Sequence, residues 1–171
     1  MTADALAAAL SGPHMSSIFR SVEPAWPHEG CGFVFADADG AVEVLPTENR
    51  AQALHERFPD RYPRGAEDWF EPDMKPWLRA VRAGGTPLVI YHSHPDVGAY
   101  FSESDHAQAV TVDEAGATVE RNPGVRHLVV SVRQGRADGA RLFEWAADSS
   151  SFVEVARFGA QGLRVAADVA I

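Results

Sequence analysis

"YHSHPDVGAYFSESD", residues 91–105, is the stretch on which the reading of this chain turns. Two histidines stand one residue apart, a proline follows the second, and Ser102 and Asp105 close the segment. The residues just before it, "TPLVI" (86–90), are apolar and β-branched, so the run predicts a buried strand. Side chains along a strand alternate faces, so His92 and His94 point to one side and Ser93 to the other. Pro95 offers no N–H to a sheet ladder, which places the histidines at the end of the strand, where the chain opens into a loop. Downstream, "SESDHAQAVTV" (102–112) predicts a helix with Ser102 as its N-cap.

Two imidazoles on one face and a carboxylate one turn into the next helix are side chains that can converge on a cation. Two His and one Asp, with a position left open, is the donor set of a catalytic zinc. A structural zinc wants four protein ligands, usually with several cysteines, and the chain has only Cys31. The same residues admit a plainer reading. Ser-x-x-Asp is close to a capping box, in which both side chains satisfy backbone N–H groups at a helix start. A metal that activates water also needs a base to take the proton. The short signature H-E-x-x-H is absent: "HEGCG" (28–32) and "HERFP" (55–59) both lack the second histidine. Glu29, in "PHEGCGFVF", stands at the mouth of a predicted strand beside glycines and is the candidate; its alternative is a solvated glutamate in a turn.

The composition fits a single domain. With 171 residues the chain can bury roughly 70% of its unfolded surface. Its 46% hydrophobic and 23% charged residues are those of an ordinary globular protein. Fifteen Lys and Arg stand against 24 Asp and Glu, a formal charge of −9 that repels a phosphate backbone. Nucleic acid is therefore not expected as a partner, and a basic protein or peptide is mildly favoured. One thiol forms no internal disulfide, the start "MTADALAAALSG" lacks a basic leader, and no apolar run reaches 18 residues. The expectation is a cytoplasmic chain with no membrane span. Cys31 opens an apolar strand and reads as a small buried hydrophobe rather than a nucleophile.

The remaining elements follow from local pattern. Residues 1–13 read as a flexible N-terminal leader, frayed or helical, and 14–23 as a short helix ended by the prolines of "EPAWP". Cys31–Ala36 and Ala41–Leu45 flank "DADG" and predict a hairpin. Residues 49–68, charged and proline-rich, read as a long loop. In "EPDMKPWLRAVRAGG" a helix would place Met74, Trp77, Leu78 and Val81 on one face and end at Gly84 and Gly85. "RHLVVSVRQ", "GARLFEWAA" and "SFVEVARFG" predict three closing strands; residues 159–171 are a C-terminal tail whose "LRVAADVAI" stays ambiguous. The fold class is α/β (α+β): one mixed sheet in a domain over 14–158, with helices packed around it. Trp26, Trp69, Trp77, Tyr100 and Phe101 line the cleft or simply pack, and His28 is given no role.

These residues resemble the JAMM (MPN+) metallopeptidases of the JAB-domain type, in their prokaryotic single-domain form. That family's signature is a distant glutamate followed by H-x-H-P-x6-S-x-x-D. His92-Ser93-His94-Pro95, six residues and Ser102-Glu103-Ser104-Asp105 fit it position by position, and "EGCGFVF" (29–35) is similar to its glutamate segment. The resemblance runs over roughly 15–158 and includes Asn49 after the second strand. It implies a cytidine-deaminase-like MPN/JAB fold and a zinc ion (Zn2+) held by His92, His94 and Asp105. It further implies Glu29 as general base and proton shuttle, and Ser102 as a stabiliser of the oxyanion. The implied substrate is a peptide or isopeptide bond at the Gly-Gly tail of a ubiquitin-like or sulfur-carrier protein. Phe101 stands where many members have proline, and "DEAGATVERNPG" (113–124) is too short for the insertion of chain-selective relatives. A non-catalytic scaffold of the same fold and a zinc amidase acting on a small peptide are the rival readings. Oligomeric state is not legible in the sequence.

Overall fold

The computed structural model describes residues 1–168 and shows a mixed α+β domain. Five helices are present among the described residues: α1 (Ala3–Leu10), α2 (Pro13–Val22), α3 (Ala51–Arg57), α4 (Lys75–Arg82) and α5 (Glu103–Ala109). The strands are β1 (Cys31–Ala36), β2 (Val42–Thr47), β3 (Thr86–Pro95), β4 (Val110–Val112), β5 (Thr118–Glu120), β6 (Arg126–Arg133), β7 (Arg136–Ala146), β8 (Ser151–Gly159) and β9 (Arg164–Val165). Seven of them form one sheet in the order β2-β1-β3-β6-β7-β8-β9, and β4 and β5 make a separate hairpin. Only β3 and β6 run parallel; the other pairs are antiparallel. That parallel pair lies in the middle of the sheet, which is why "LVIY" and "HLVVSV" read as nearly unbroken apolar runs.

One face of the sheet packs against α1 and α2. Met15, Ile18 and Val22 of α2 meet Val34, Val89, Tyr91, Leu128 and Val130 in the main core. Pro13 suits the first turn of α2, where its missing N–H is not needed. The leader expected to be flexible belongs to this core. Thr2 caps α1, and Leu6, Ala7 and Leu10 are fully buried. Each leucine contributes roughly 1.5–3 kcal/mol by leaving water. The tail also adds to the sheet, since β9 pairs with β8 through Arg157↔Val165 and Phe158↔Arg164. The last part of "LRVAADVAI" (169–171) lies outside the described residues.

Three further expectations are corrected. The long loop over 49–68 contains α3, whose first turn is held by Asn49 Oδ1 accepting from Ala51 N at 3.0 Å. The helix expected through 112 stops at Ala109, and Val110–Val112 pair with Thr118–Glu120 instead. A turn explains the change: Asp113 Oδ1 accepts from Ala115 N and Ala117 N, and Gly116 supplies a φ of 83°. On α4 Trp77 docks onto the sheet, edge-on to Phe33 and Phe35 at 5.2 and 5.1 Å, whereas Leu78 and Val81, and Met74 just before the helix, stay exposed. No helix among the described residues is long and apolar enough to cross a membrane.

Candidate metal centre

The other face of the sheet carries the motif. His92 and His94 project from β3 on the side opposite Tyr91 and Ser93, and Asp105 sits in the first turn of α5. Their donor atoms meet. His92 Nε2 and His94 Nε2 are 3.1 Å apart, His92 Nε2 and Asp105 Oδ1 3.2 Å, and His94 Nε2 and Asp105 Oδ2 3.4 Å. Zinc bonds to imidazole and carboxylate run about 2.0–2.1 Å, which sets neighbouring corners of a tetrahedron about 3.3 Å apart. The three approaches bracket that edge, so the residues fit a tetrahedral ion in spacing as well as in donor type.

Local hydrogen bonds orient these donors. His94 Nδ1 donates to Gly98 O at 3.2 Å, which fixes the tautomer that leaves Nε2 as a lone pair. The ring of His92 stacks on Phe70 at 4.3 Å between centroids. Burial lowers the pKa of His92 against the pull of Asp105, so the ring stays a neutral ligand. Burial pushes the Asp105 carboxyl upward, but the adjoining His92 and His94 rings and the Ser102 N–H, which donates to Oδ2, outweigh it and hold it well below the carboxylate range.

The capping box is present too. Asp105 N donates to Ser102 Oγ at 3.1 Å, and Ser102 N donates to Asp105 Oδ2 at 2.8 Å. Cap and ligand are therefore compatible readings of one aspartate. Oδ2 serves the helix end, while Oδ1 faces His92. Because Ser102 Oγ is an acceptor in this arrangement, its own proton remains free to donate elsewhere.

Glu29 reaches the site through strand pairing. β1 runs antiparallel to β3 with Cys31 opposite His92, a register that sets Gly30 beside Ser93 and Glu29 beside His94. Ser93 locks the register: its Oγ accepts from Gly30 N at 2.8 Å, and its N donates to Gly30 O at 2.9 Å. The glycines are required by their neighbours. A Cβ at Gly30 would stand 2.8 Å from Val22 Cα, and one at Gly32 would collide with the Tyr91 phenol. The Glu29 backbone is held on both sides, its N–H by Ala66 O at 2.7 Å and its C=O by Asn49 Nδ2 at 2.9 Å.

Glu29, His94 and Ser102 line one cavity of about 420 Å3. Burial, then the negative charges of Asp105 and Asp68, push the Glu29 carboxyl up to about 9, with Arg64 opposing. Its Oε2 is buried and has no hydrogen-bond partner among the described residues. A buried, unpartnered carboxyl beside a convergent donor set is a group placed for a cation and for proton transfer.

The other residues singled out in the sequence separate clearly. Cys31 is buried beside His92, and burial with the nearby Glu29 and Glu71 pushes its thiol up to about 12, so it is no thiolate. His28 is exposed. Tyr100 lies edge-on to His94 at 5.0 Å and lines the Glu29 cavity, whereas Phe101 packs on His127, Phe143 and Phe152. Trp26 instead donates from Nε1 to Asp96 Oδ2 at 2.9 Å. Three residues near the centre carry no signal in the sequence. Arg64 donates to Ser104 Oγ and Asp68, Phe70 stacks on His92, and His127 sits on β6 beside Ile90. Each is brought in by tertiary packing rather than by a local pattern.

The model of a family described as prokaryotic homologs of the JAB domain matches residues 11–147, and the chain belongs to that family. Two solved structures share the fold. A protein of Desulfitobacterium hafniense is 21% identical, with 82% of this chain and 84% of that one covered at a TM-score of 0.55. A protein of Salinibacter ruber is 25% identical, with 93% of both chains covered at a TM-score of 0.52. A JAB1/MPN domain protein of Archaeoglobus fulgidus is 15% identical over 89% of both chains, at a TM-score of 0.37. Among curated proteins none matches the sequence significantly.

Proposed function

We propose that this chain is a zinc-dependent peptidase or isopeptidase that hydrolyses the bond following the Gly-Gly tail of a ubiquitin-like or sulfur-carrier protein in the cytoplasm. The observation that carries the reading is the convergence of His92, His94 and Asp105 within one cluster, with Glu29 and Ser102 lining the cavity beside it.

Held by His92, His94 and Asp105, zinc would supply Lewis-acid polarisation and lower the pKa of water at the site. Glu29, ionised once a bound cation's charge offsets its burial, takes the proton of the attacking water and returns it to the leaving amine. A carboxyl with no hydrogen-bond partner on Oε2 is free to carry that proton in either direction. Ser102, its oxygen engaged by Asp105 N, turns its hydroxyl proton toward the oxyanion of the tetrahedral intermediate. Asn49 and Ala66 hold the Glu29 backbone so that its side chain does not swing away.

The test is hydrolysis by zinc-loaded protein of small β-grasp proteins extended beyond their Gly-Gly ends, followed by mass spectrometry. Cleavage after the second glycine, lost in His94→Ala and reduced at least ~100-fold in Glu29→Gln, supports the reading. Intact substrates throughout, or equal turnover by Glu29→Gln, refutes it.

A further inference from the structure

A second cavity, of about 480 Å3, shares Asp105 as a wall with the metal centre, and Phe70, the ring that stacks on His92, is another of its walls. Its volume lies in the range of built ligand pockets. Phe33, Ile90 and Trp77 make it apolar and aromatic. Two polar groups in the lining lack partners. Gln108 Nε2 donates to Phe70 O at 2.9 Å, and that bond aims the amide while leaving Oε1 buried with no partner among the described residues. His127, 6% exposed, makes no side-chain hydrogen bond among the described residues. Burial pushes its pKa down to about 3, so it is a neutral imidazole. Of the charges in the lining, Arg121 is already turned to the carbonyls of Gln108 and Val110.

An apolar, aromatic space of this size beside the candidate metal centre is not explained by the packing of the sheet. A ligand side chain that fills the space takes its apolar walls out of water, while Gln108 Oε1 is itself buried and out of a ligand's reach.

We propose that this cavity is a substrate subsite that takes one large apolar or aromatic side chain close in sequence to the cleaved bond. Glycine has no side chain to occupy it, so the residue is one flanking the Gly-Gly pair. An acidic side chain is disfavoured, because Glu71 and Asp105 already stand in the lining and Arg121 there is turned to backbone carbonyls. The placement beside the cleaved bond rests on the peptidase reading; occupation of the cavity does not.

The experiment reads binding alone. N-acetyl-phenylalaninamide, N-acetyl-glycinamide and N-acetyl-aspartamide are titrated into zinc-loaded and zinc-free protein, with the Ile90 methyl and Trp77 indole resonances as reporters. The phenylalanine probe binds about 10-fold or more tightly than the glycine probe, the gain expected from burying its ring. It perturbs both reporters, and the aspartate probe binds no better than glycine. Ala107→Trp, at an exposed position of α5 in the cavity wall, removes the preference. Equal affinities for the phenylalanine and glycine probes overturn the proposal, as does a preference that survives Ala107→Trp. A preference for phenylalanine in a protein that cleaves no Gly-Gly fusion supports the subsite and refutes the substrate reading, so the two fail separately.

Discussion

Replacing Glu29 by glutamine should stabilise the zinc-free protein at neutral pH, and the size of the effect follows from its burial. The Glu29 carboxyl has a pKa of about 9 in the folded chain against an ordinary 4.5, with burial as the main cause. Below pH 4.5 the group is protonated whether the chain is folded or not, and it contributes nothing. As pH rises, the unfolded chain ionises while the folded one keeps its proton, so folding loses about 1.4 kcal/mol per pH unit until pH approaches 9. Between pH 4.5 and 7 the wild type therefore loses about 3 kcal/mol that Glu29→Gln does not lose. For a chain of this length that is a gap in Tm of about 6–12 °C. The assay is urea denaturation of both proteins, zinc-free, from pH 4.5 to 8. Steric differences and the partners of the new amide add an offset that does not change with pH, so the slope of the difference is the readout. Zinc lowers the Glu29 pKa by its charge, so adding it flattens that slope. A difference that does not change with pH, or that grows toward acid, refutes the argument that Glu29 is buried without a compensating partner.

Asp105→Asn keeps an acceptor for Ser102 N and should lose zinc while retaining its fold, whereas Asp105→Ala loses zinc and also about 1 kcal/mol of cap stability. Elemental analysis beside thermal denaturation separates the two effects, and full zinc in Asp105→Asn would contradict the ligand assignment. Asn49→Ala removes four hydrogen bonds at once, to Glu29 O and Trp69 O and from Ala51 N and Glu71 N. It should cost about 2–4 kcal/mol and speed hydrogen exchange at the amides of Ala51 and Glu71; unchanged protection there would show that the asparagine is not a hub.

The parts of the fold that were legible are those whose signal is local. β3 and β6 are apolar because both faces are covered, and the first hairpin carries an Asp-x-x-Gly turn that the structure shows capped by Asp37 Oδ1. "DEAG" at 113–116 has the same pattern and the same capping geometry, but flanking strands of only three residues are too short to show an alternating pattern. α3 was hidden for a different reason. It buries only Ala51, so its surface shows the charge of a loop and no apolar stripe. The leader misled because an Ala-rich stretch states nothing about its partner. Leu6 and Leu10 gain their burial from the same face of the sheet that α2 covers, a contact no periodicity encodes.

The site divides along the same line. His92, His94 and Asp105 lie within 14 residues, and the pleat with one helical turn brings them together, so their spacing makes a cation site one of the two readings, beside a helix cap. Glu29 is 63 residues from His92, and it depends on register. Sliding β1 by one residue against β3 would turn its side chain to the α2 face. Three features oppose that slip. Ser93 bonds both backbone groups of Gly30, Gly32 gives way to Tyr91, and Asn49 grips the Glu29 carbonyl from the segment beyond β2. Two of them are glycines whose role is invisible without their neighbours, and the third is an asparagine in what reads as a loop. The residue types needed for the proposed chemistry could thus be read from the sequence. The reason they arrive on one face is carried by Gly30, Gly32, Ser93 and Asn49, none of which would touch the metal.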